Sequence, residues 1–153
     1  MISATDPAPD FTLPRDGGGT VTLSAQRPGK VVLYFYPKDD TPGCALEAQD
    51  FNARLADFTA AGATVIGISK DSVKSHDKFC KKHGLGIVLA SDETGTTCED
   101  YGVWQEKSMY GKTYMGIQRA TFLIGGDGRV ARVWPKVSVK GHADEVLAAV
   151  KAL

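Results

Sequence analysis

The chain has 153 residues, 42% of them hydrophobic and 24% charged, with eighteen basic side chains balancing eighteen acidic ones. That length is expected to form one domain, residues 1–153, with a core of its own, and the balanced charge excludes a protein built to bind nucleic acid or an anionic membrane. No apolar run approaches the roughly 20 residues needed to cross a bilayer. Residues 1–7 have neither the basic stretch nor the apolar stretch of a secretory signal, so a cytoplasmic location is expected. Three cysteines, an odd number, argue against a disulfide framework, and separations of 36 and 18 residues lack the close ligand pairs of a structural zinc site. Neither a metal nor a cofactor is expected.

In chain order, residues 10–13 and 21–23 alternate apolar and polar around Arg15-Asp16-Gly17-Gly18-Gly19, which predicts a hairpin. The glycine run is not a phosphate loop, since no Lys-Ser or Lys-Thr pair follows it and no helix opens behind it. Val31-Val32-Leu33-Tyr34-Phe35-Tyr36 reads as a buried strand that Pro37 ends. A turn rich in Asp and Pro leads into a helix expected over residues 42–61, with Thr41 as N-cap and Pro42 at the first helical position. Ala48, Phe51, Leu55 and Phe58 make its apolar stripe, and Gly62 closes it. Thr64-Val65-Ile66-Gly67-Ile68-Ser69 is a second strand, parallel to the first. A second helix runs from Ser72 to His83, carries Cys80 among Lys78, Lys81 and Lys82, and stops at Gly84. A third strand, Gly86-Ile87-Val88-Leu89-Ala90, precedes a short helical stretch from Ser91 that carries Cys98 and ends near Tyr101-Gly102. Residues 103–117 read as a long ordered loop. Two strands, residues 119–124 and 129–134, pair across Gly125-Gly126-Asp127-Gly128, and a last helix over 143–153 buries Val146, Leu147 and Val150. This order predicts a three-layer α/β sandwich with a mixed central sheet and an N-terminal β-hairpin, which resembles the thioredoxin fold with insertions.

The chemistry gathers at Cys44, which falls in the first turn of its helix. There the backbone N–H groups lack helical partners, the helix dipole is positive, and a thiolate is stabilised relative to the thiol. Thioredoxin-type disulfide exchange would need a second cysteine three residues on, and Glu47 stands there. A cysteine phosphatase would need an amide loop and an arginine, and Ala45-Leu46-Glu47-Ala48 supplies neither. A Cys-His acyl transferase would need a base from His76, His83 or His142, each of which reads as a polar surface residue on a helix or at its end. Peroxide reduction needs less: donors for both peroxide oxygens, exclusion of water and a fixed cation. Thr41 can aim its hydroxyl at the sulfur or the substrate, the amides of Gly43 and Cys44 are donors, and Pro37 shields the sulfur without competing. Arg119, at the head of a strand, is the candidate cation.

Pro37-x-x-x-Thr41-x-x-Cys44 resembles the active-site signature of the peroxiredoxins. Tyr36-Pro37-Lys38-Asp39-Asp40-Thr41-Pro42-Gly43-Cys44, with Glu47-Ala48 behind it, is similar to the Q-type subgroup, also called bacterioferritin comigratory protein. Tyr101-Gly102-Val103-Trp104, Lys107, Tyr110-Gly111-Lys112 and Gly116-Ile117-Gln118-Arg119-Ala120-Thr121-Phe122 resemble the same subgroup, so the likeness covers nearly the whole chain. The resemblance implies a thioredoxin-like fold and a thiol peroxidase for hydrogen peroxide and organic hydroperoxides. In that role Cys44 is the peroxidatic cysteine, supported by Pro37, Thr41 and Arg119, and Glu47 pairs with arginine. It also implies thioredoxin as reductant and a monomer.

Many members of the subgroup carry a resolving cysteine at what is position 49 here, and this chain has Gln49. Cys80 matches the place where other members put it, and the resemblance implies a Cys44–Cys80 disulfide formed from a Cys44 sulfenic acid. Lysines beside Cys80 are expected to favour its thiolate. The two helix ends are expected to unwind locally to let the sulfurs meet, since a disulfide needs Cα atoms within about 7 Å. Cys98 reads as a semi-buried bystander. Two other readings stay open: a peroxide-responsive sensor or partner-binding module with little turnover, and a one-cysteine peroxidase resolved by an external thiol.

Overall fold

The computed structural model describes residues 1–153. Its centre is a five-stranded sheet in the order β5-β4-β3-β8-β9. These strands are β3 (Lys30–Phe35), β4 (Ala63–Ser69), β5 (Val88–Ser91), β8 (Ala120–Ile124) and β9 (Val130–Trp134). β3, β4 and β5 run parallel, while β8 is antiparallel to β3 and β9 to β8, so the sheet is mixed as expected. β3 lies at its middle, and Val31 through Tyr36 are buried.

Side chains of a strand alternate between faces, and β3 feeds two cores in that way. Val31, Leu33 and Phe35 join one cluster, whereas Val32, Tyr34 and Tyr36 join the other. The second cluster is covered by α1 (Pro42–Ala53), α2 (Leu55–Ala60), α3 (Val73–His83) and α5 (His142–Ala152), through Phe51, Phe58, Phe79 and Val146 among others. The first is covered by the N-terminal hairpin of β1 (Thr12–Pro14) and β2 (Thr20–Thr22) and by the short α4 (Thr97–Asp100). The thioredoxin-like three-layer α/β arrangement is therefore the observed one. No helix is long and apolar enough to cross a membrane.

Three elements differ from the sequence expectation, the smallest change being the short helix expected from Ser91, which starts only at Thr97 because Ser91 still belongs to β5. The helix expected over 42–61 is interrupted at Arg54, whose backbone leaves the helical region at φ −108° and ψ 10°. The Arg54 guanidinium donates to the Asp50 carbonyl at 2.8 Å and pairs with Asp144 of α5, so the break is also a cross-helix tie. Residues 103–117 are not a loop: β6 (Trp104–Met109) and β7 (Lys112–Ile117) form an antiparallel hairpin. Tyr110 and Gly111 turn it, both at positive φ (52° and 77°), as a two-residue hairpin turn requires. Only Ile117 of its strands is buried, so no apolar alternation marks it in the sequence.

Candidate active site

The site forms where β3 ends. Phe35 pairs with Ala120 across the β3–β8 ladder, so the residue before Ala120 comes level with the start of the loop after β3. Antiparallel pairing thus carries Arg119 to Cys44, 75 positions away in sequence. Its Nη2 donates to the Cys44 Sγ at 3.2 Å and its Nη1 to Glu47 Oε1 at 2.6 Å. Gly43 leaves the room for this approach, since a β-carbon there would lie 3.3 Å from Arg119 Nη2.

Cys44 is 2% exposed. The first helix amide to find a carbonyl is that of Ala45, from Thr41 O at 2.8 Å, and the Gly43 and Cys44 amides have no backbone acceptor. Thr41 holds the N-cap position but makes no side-chain cap. Its hydroxyl donates instead to the Lys38 carbonyl at 2.9 Å, which closes the loop and leaves the oxygen's lone pairs free. Pro37 is exposed and lines a cleft of about 400 Å³ with Lys38, Trp104, Lys107, Tyr114 and Met115 among its other walls. Burial and the neighbouring Arg119 charge lower the Lys107 pKa.

Burial pushes the Glu47 carboxyl up to about 7, against the pull of Arg119. Its Oε2 has no partner, nor has the hydroxyl of Tyr34, whose ring stacks on Phe51 at 4.7 Å. Burial opposes the Arg119 charge, and Glu47 and Cys44 more than offset it, so the guanidinium stays charged. A fixed cation, free amides and a buried sulfur are thus assembled within one helical turn of Cys44.

Cys80 borders the same core as Cys44, and all three cysteines are free thiols. Burial, followed by Asp16, Asp39 and Asp77, pushes the Cys80 thiol up to about 12. The lysines therefore do not favour its thiolate as expected. Lys82 reaches away to Asp40 at 2.7 Å, and Lys78 is exposed in a groove beside Asp39 and Asp40. The Cys80 carbonyl accepts from the amides of Gly84 and Leu85, so this residue anchors the end of its helix. Gln49 faces the same helix end, 3.0 Å from His83 Nδ1. Cys98 is fully buried in the opposite core, with its amide on Asp92 Oδ2 at 2.8 Å.

Two histidines expected at the surface are inside. His76 is 0% and His142 5% exposed. His142 bonds Thr121 Oγ1 at 2.8 Å and packs edge-on to Phe51 and Trp134, and burial lowers it to about 4, so it is neutral. The available signal for His76 was its spacing: three before Phe79 and four before Cys80, on the inward stripe of α3.

Residues 4–133 match the AhpC/TSA family, and the chain belongs to that family. It is 52% identical over 148 residues to Peroxiredoxin Bcp of Xanthomonas campestris pv. campestris, covering 95% of this chain and 92% of that protein. With Peroxiredoxin Bcp of Bacillus subtilis the identity is 46% over 144 residues, covering 94% and 92%. Among solved structures, Xanthomonas campestris Peroxiredoxin Q matches with a TM-score of 0.89 at 51% identity, over 93% of this chain and 90% of that one. A mutant of Xylella fastidiosa PrxQ matches with a TM-score of 0.90 at 44% identity, over 99% and 94%. Within the family the chain is a peroxiredoxin of the Q-type, or Bcp, branch, and hence a peroxidase.

Proposed function

We propose that Cys44 is the peroxidatic cysteine and Cys80 the resolving one, in a cycle recycled by thioredoxin. The observation that carries this reading is the 3.2 Å contact from the Arg119 guanidinium to Cys44 Sγ, beside two helix amides with no acceptor. The Cys44 thiolate attacks one peroxide oxygen, the O–O bond breaks, and the other oxygen leaves as an alkoxide or hydroxide that takes up a proton. Arg119 and the amides of Gly43 and Cys44 meet the charge that develops on the oxygens. Thr41 offers the peroxide a hydroxyl oxygen as acceptor, Pro37 limits access of water, and Glu47 holds Arg119 in register.

The product is a Cys44 sulfenic acid. Cys80 then attacks the Cys44 sulfur, an S–S bond forms, the S–O bond breaks, and water leaves. A reductant dithiol returns two electrons. Hydrogen peroxide and organic hydroperoxides are both substrates on this reading, and the Trp104, Tyr114 and Met115 wall beside Pro37 suits an alkyl tail. Trapped intermediate/ligand complex structures of the similar Xanthomonas campestris bacterioferritin comigratory protein concern that protein's alkyl peroxide reduction activity, which supports the same substrate class here. The whole chain acts as one domain, a cytoplasmic monomer, on this reading, in keeping with its two cores on a single sheet.

Peroxide consumption coupled to thioredoxin and its reductase tests the assignment. The wild type turns over, Cys44→Ser does not react, and Cys80→Ser reacts once and then stalls with thioredoxin as the only thiol. Retained activity in Cys44→Ser overturns the site. Undiminished turnover in Cys80→Ser assigns resolution to an external thiol, and a wild type that is oxidised once without turnover is a sensor.

A further inference from the structure

A buried polar cluster joins the Cys44 loop to the helix that carries Cys80. His76, one turn before Cys80, places Nδ1 2.7 Å from Asp39 Oδ2 and Nε2 3.0 Å from the Ala90 carbonyl of β5. Asp39 also accepts from the Tyr36 hydroxyl at 2.6 Å and the Ser75 hydroxyl at 2.8 Å. Its own amide donates to Asp71 Oδ2 at 2.9 Å.

These partners fix the proton count. A carbonyl only accepts, so Nε2 carries a hydrogen. Nδ1 and the Asp39 oxygen then hold one further proton between them, whichever atom bears it. With that proton the pair is neutral overall. Without it, a ring lone pair faces a buried carboxylate, which is costly. The groups facing His76 are Tyr36 just after β3, Asp39 from the loop and Asp71 beyond β4, with Lys74, Asp77 and Lys78 its charged neighbours along α3. Asp39 lines a groove of about 570 Å³, which gives the proton a way out to solvent.

We infer that His76 is a positioning residue for the resolving step: it shares one proton with Asp39, pins the Cys44 loop to the first turns of α3, and sets how readily Cys80 is released toward the Cys44 sulfenic acid. The inference rests on the reading of Cys80 as the resolving cysteine. Burial works against the charge on His76, and the Asp39 hydrogen bond and charge outweigh it, so His76 titrates above the usual 6.5. A raised histidine pKa stabilises the closed form below the ordinary value, and that stabilisation is lost as pH rises through the folded one. Opening of α3 therefore becomes easier as pH rises.

The test follows both phases after one equivalent of hydrogen peroxide, with acid quenching and mass spectrometry, in the wild type, His76→Gln, Asp39→Asn and Ser75→Ala. In the wild type the disulfide rate rises with pH in a step superposed on the slope from Cys80 ionisation. At pH 6, His76→Gln forms the disulfide at least about fivefold faster, the change expected from losing one such contact. The step disappears in His76→Gln and Asp39→Asn, and Ser75→Ala moves the rate the same way by less. Oxidation of Cys44 stays within about twofold in all three, which also reports an intact fold. If the disulfide rates and pH profiles of folded variants match the wild type, the inference is overturned. If the wild type forms no Cys44–Cys80 bond at all, the resolving assignment fails and takes the inference with it.

Discussion

Cys44 and Cys80 border one apolar core, and they meet opposite charges there. Cys44 lies at a helix start, under a guanidinium and beside free amides. Cys80 lies near a helix end, its carbonyl tied into the cap, with Asp16, Asp39 and Asp77 around its thiol. On the proposed function, the first cysteine reacts in the closed fold and the second stays protonated until its helix end opens. A quiet resolving thiol would then leave Cys44 free to meet peroxide first, with the order of events set by the two ends of two helices.

The largest effect is expected at Cys44. Cys44→Ser is expected to reduce peroxide consumption to the buffer background, measured with a coupled assay. Arg119→Ala should lower the second-order rate with peroxide about 10²–10³-fold, the loss typical of one charge-stabilising donor. Stopped-flow oxidation at low peroxide measures it.

Glu47 sharpens the contrast through pH. Its carboxyl titrates at about 7 in the fold against an ordinary 4.5. Between those values the folded protein holds a proton that the unfolded chain releases, so stability falls as pH rises through that window. The expected loss is about 3 kcal/mol, read from urea unfolding at several pH values. Glu47→Gln should flatten that decline.

Gly67 tests the packing beneath both cysteines. A β-carbon there would lie 2.6 Å from the Tyr34 ring and 2.9 Å from Leu89, both buried. Gly67→Ala should destabilise the protein by about 1–3 kcal/mol in denaturant unfolding. The smallest effect is at Cys98, in the opposite core. Cys98→Ala should leave turnover unchanged and cost about 1 kcal/mol of stability.

The central strands, the parallel unit and the Cys44 helix start were legible because local patterns carry them: a continuous apolar run, Pro37, and Thr41-Pro42-Gly43 before Cys44. Local pattern marked Arg119 only as a strand head, and the family resemblance tied it to Cys44, since their contact comes from strand pairing across 75 positions. The β6–β7 hairpin was hidden because exposed strands need no apolar alternation. His76 and His142 were misread for a related reason. A buried polar side chain depends on partners from other elements, here Asp39 and Ala90 for one and Thr121 for the other. The lysines near Cys80 in sequence told nothing of its thiol, because Lys82 pairs with Asp40 while Asp16 and Asp39 come to the sulfur from other elements.

One peptide map tests the division of labour most directly. The reduced protein is treated with one equivalent of hydrogen peroxide, quenched in acid and digested without reductant. The expected product is a Cys44–Cys80 linked peptide, lighter than its two halves by two hydrogens, with Cys98 still a free thiol. A Cys44 left as a thiol, or a bridge from Cys44 to Cys98, contradicts the account.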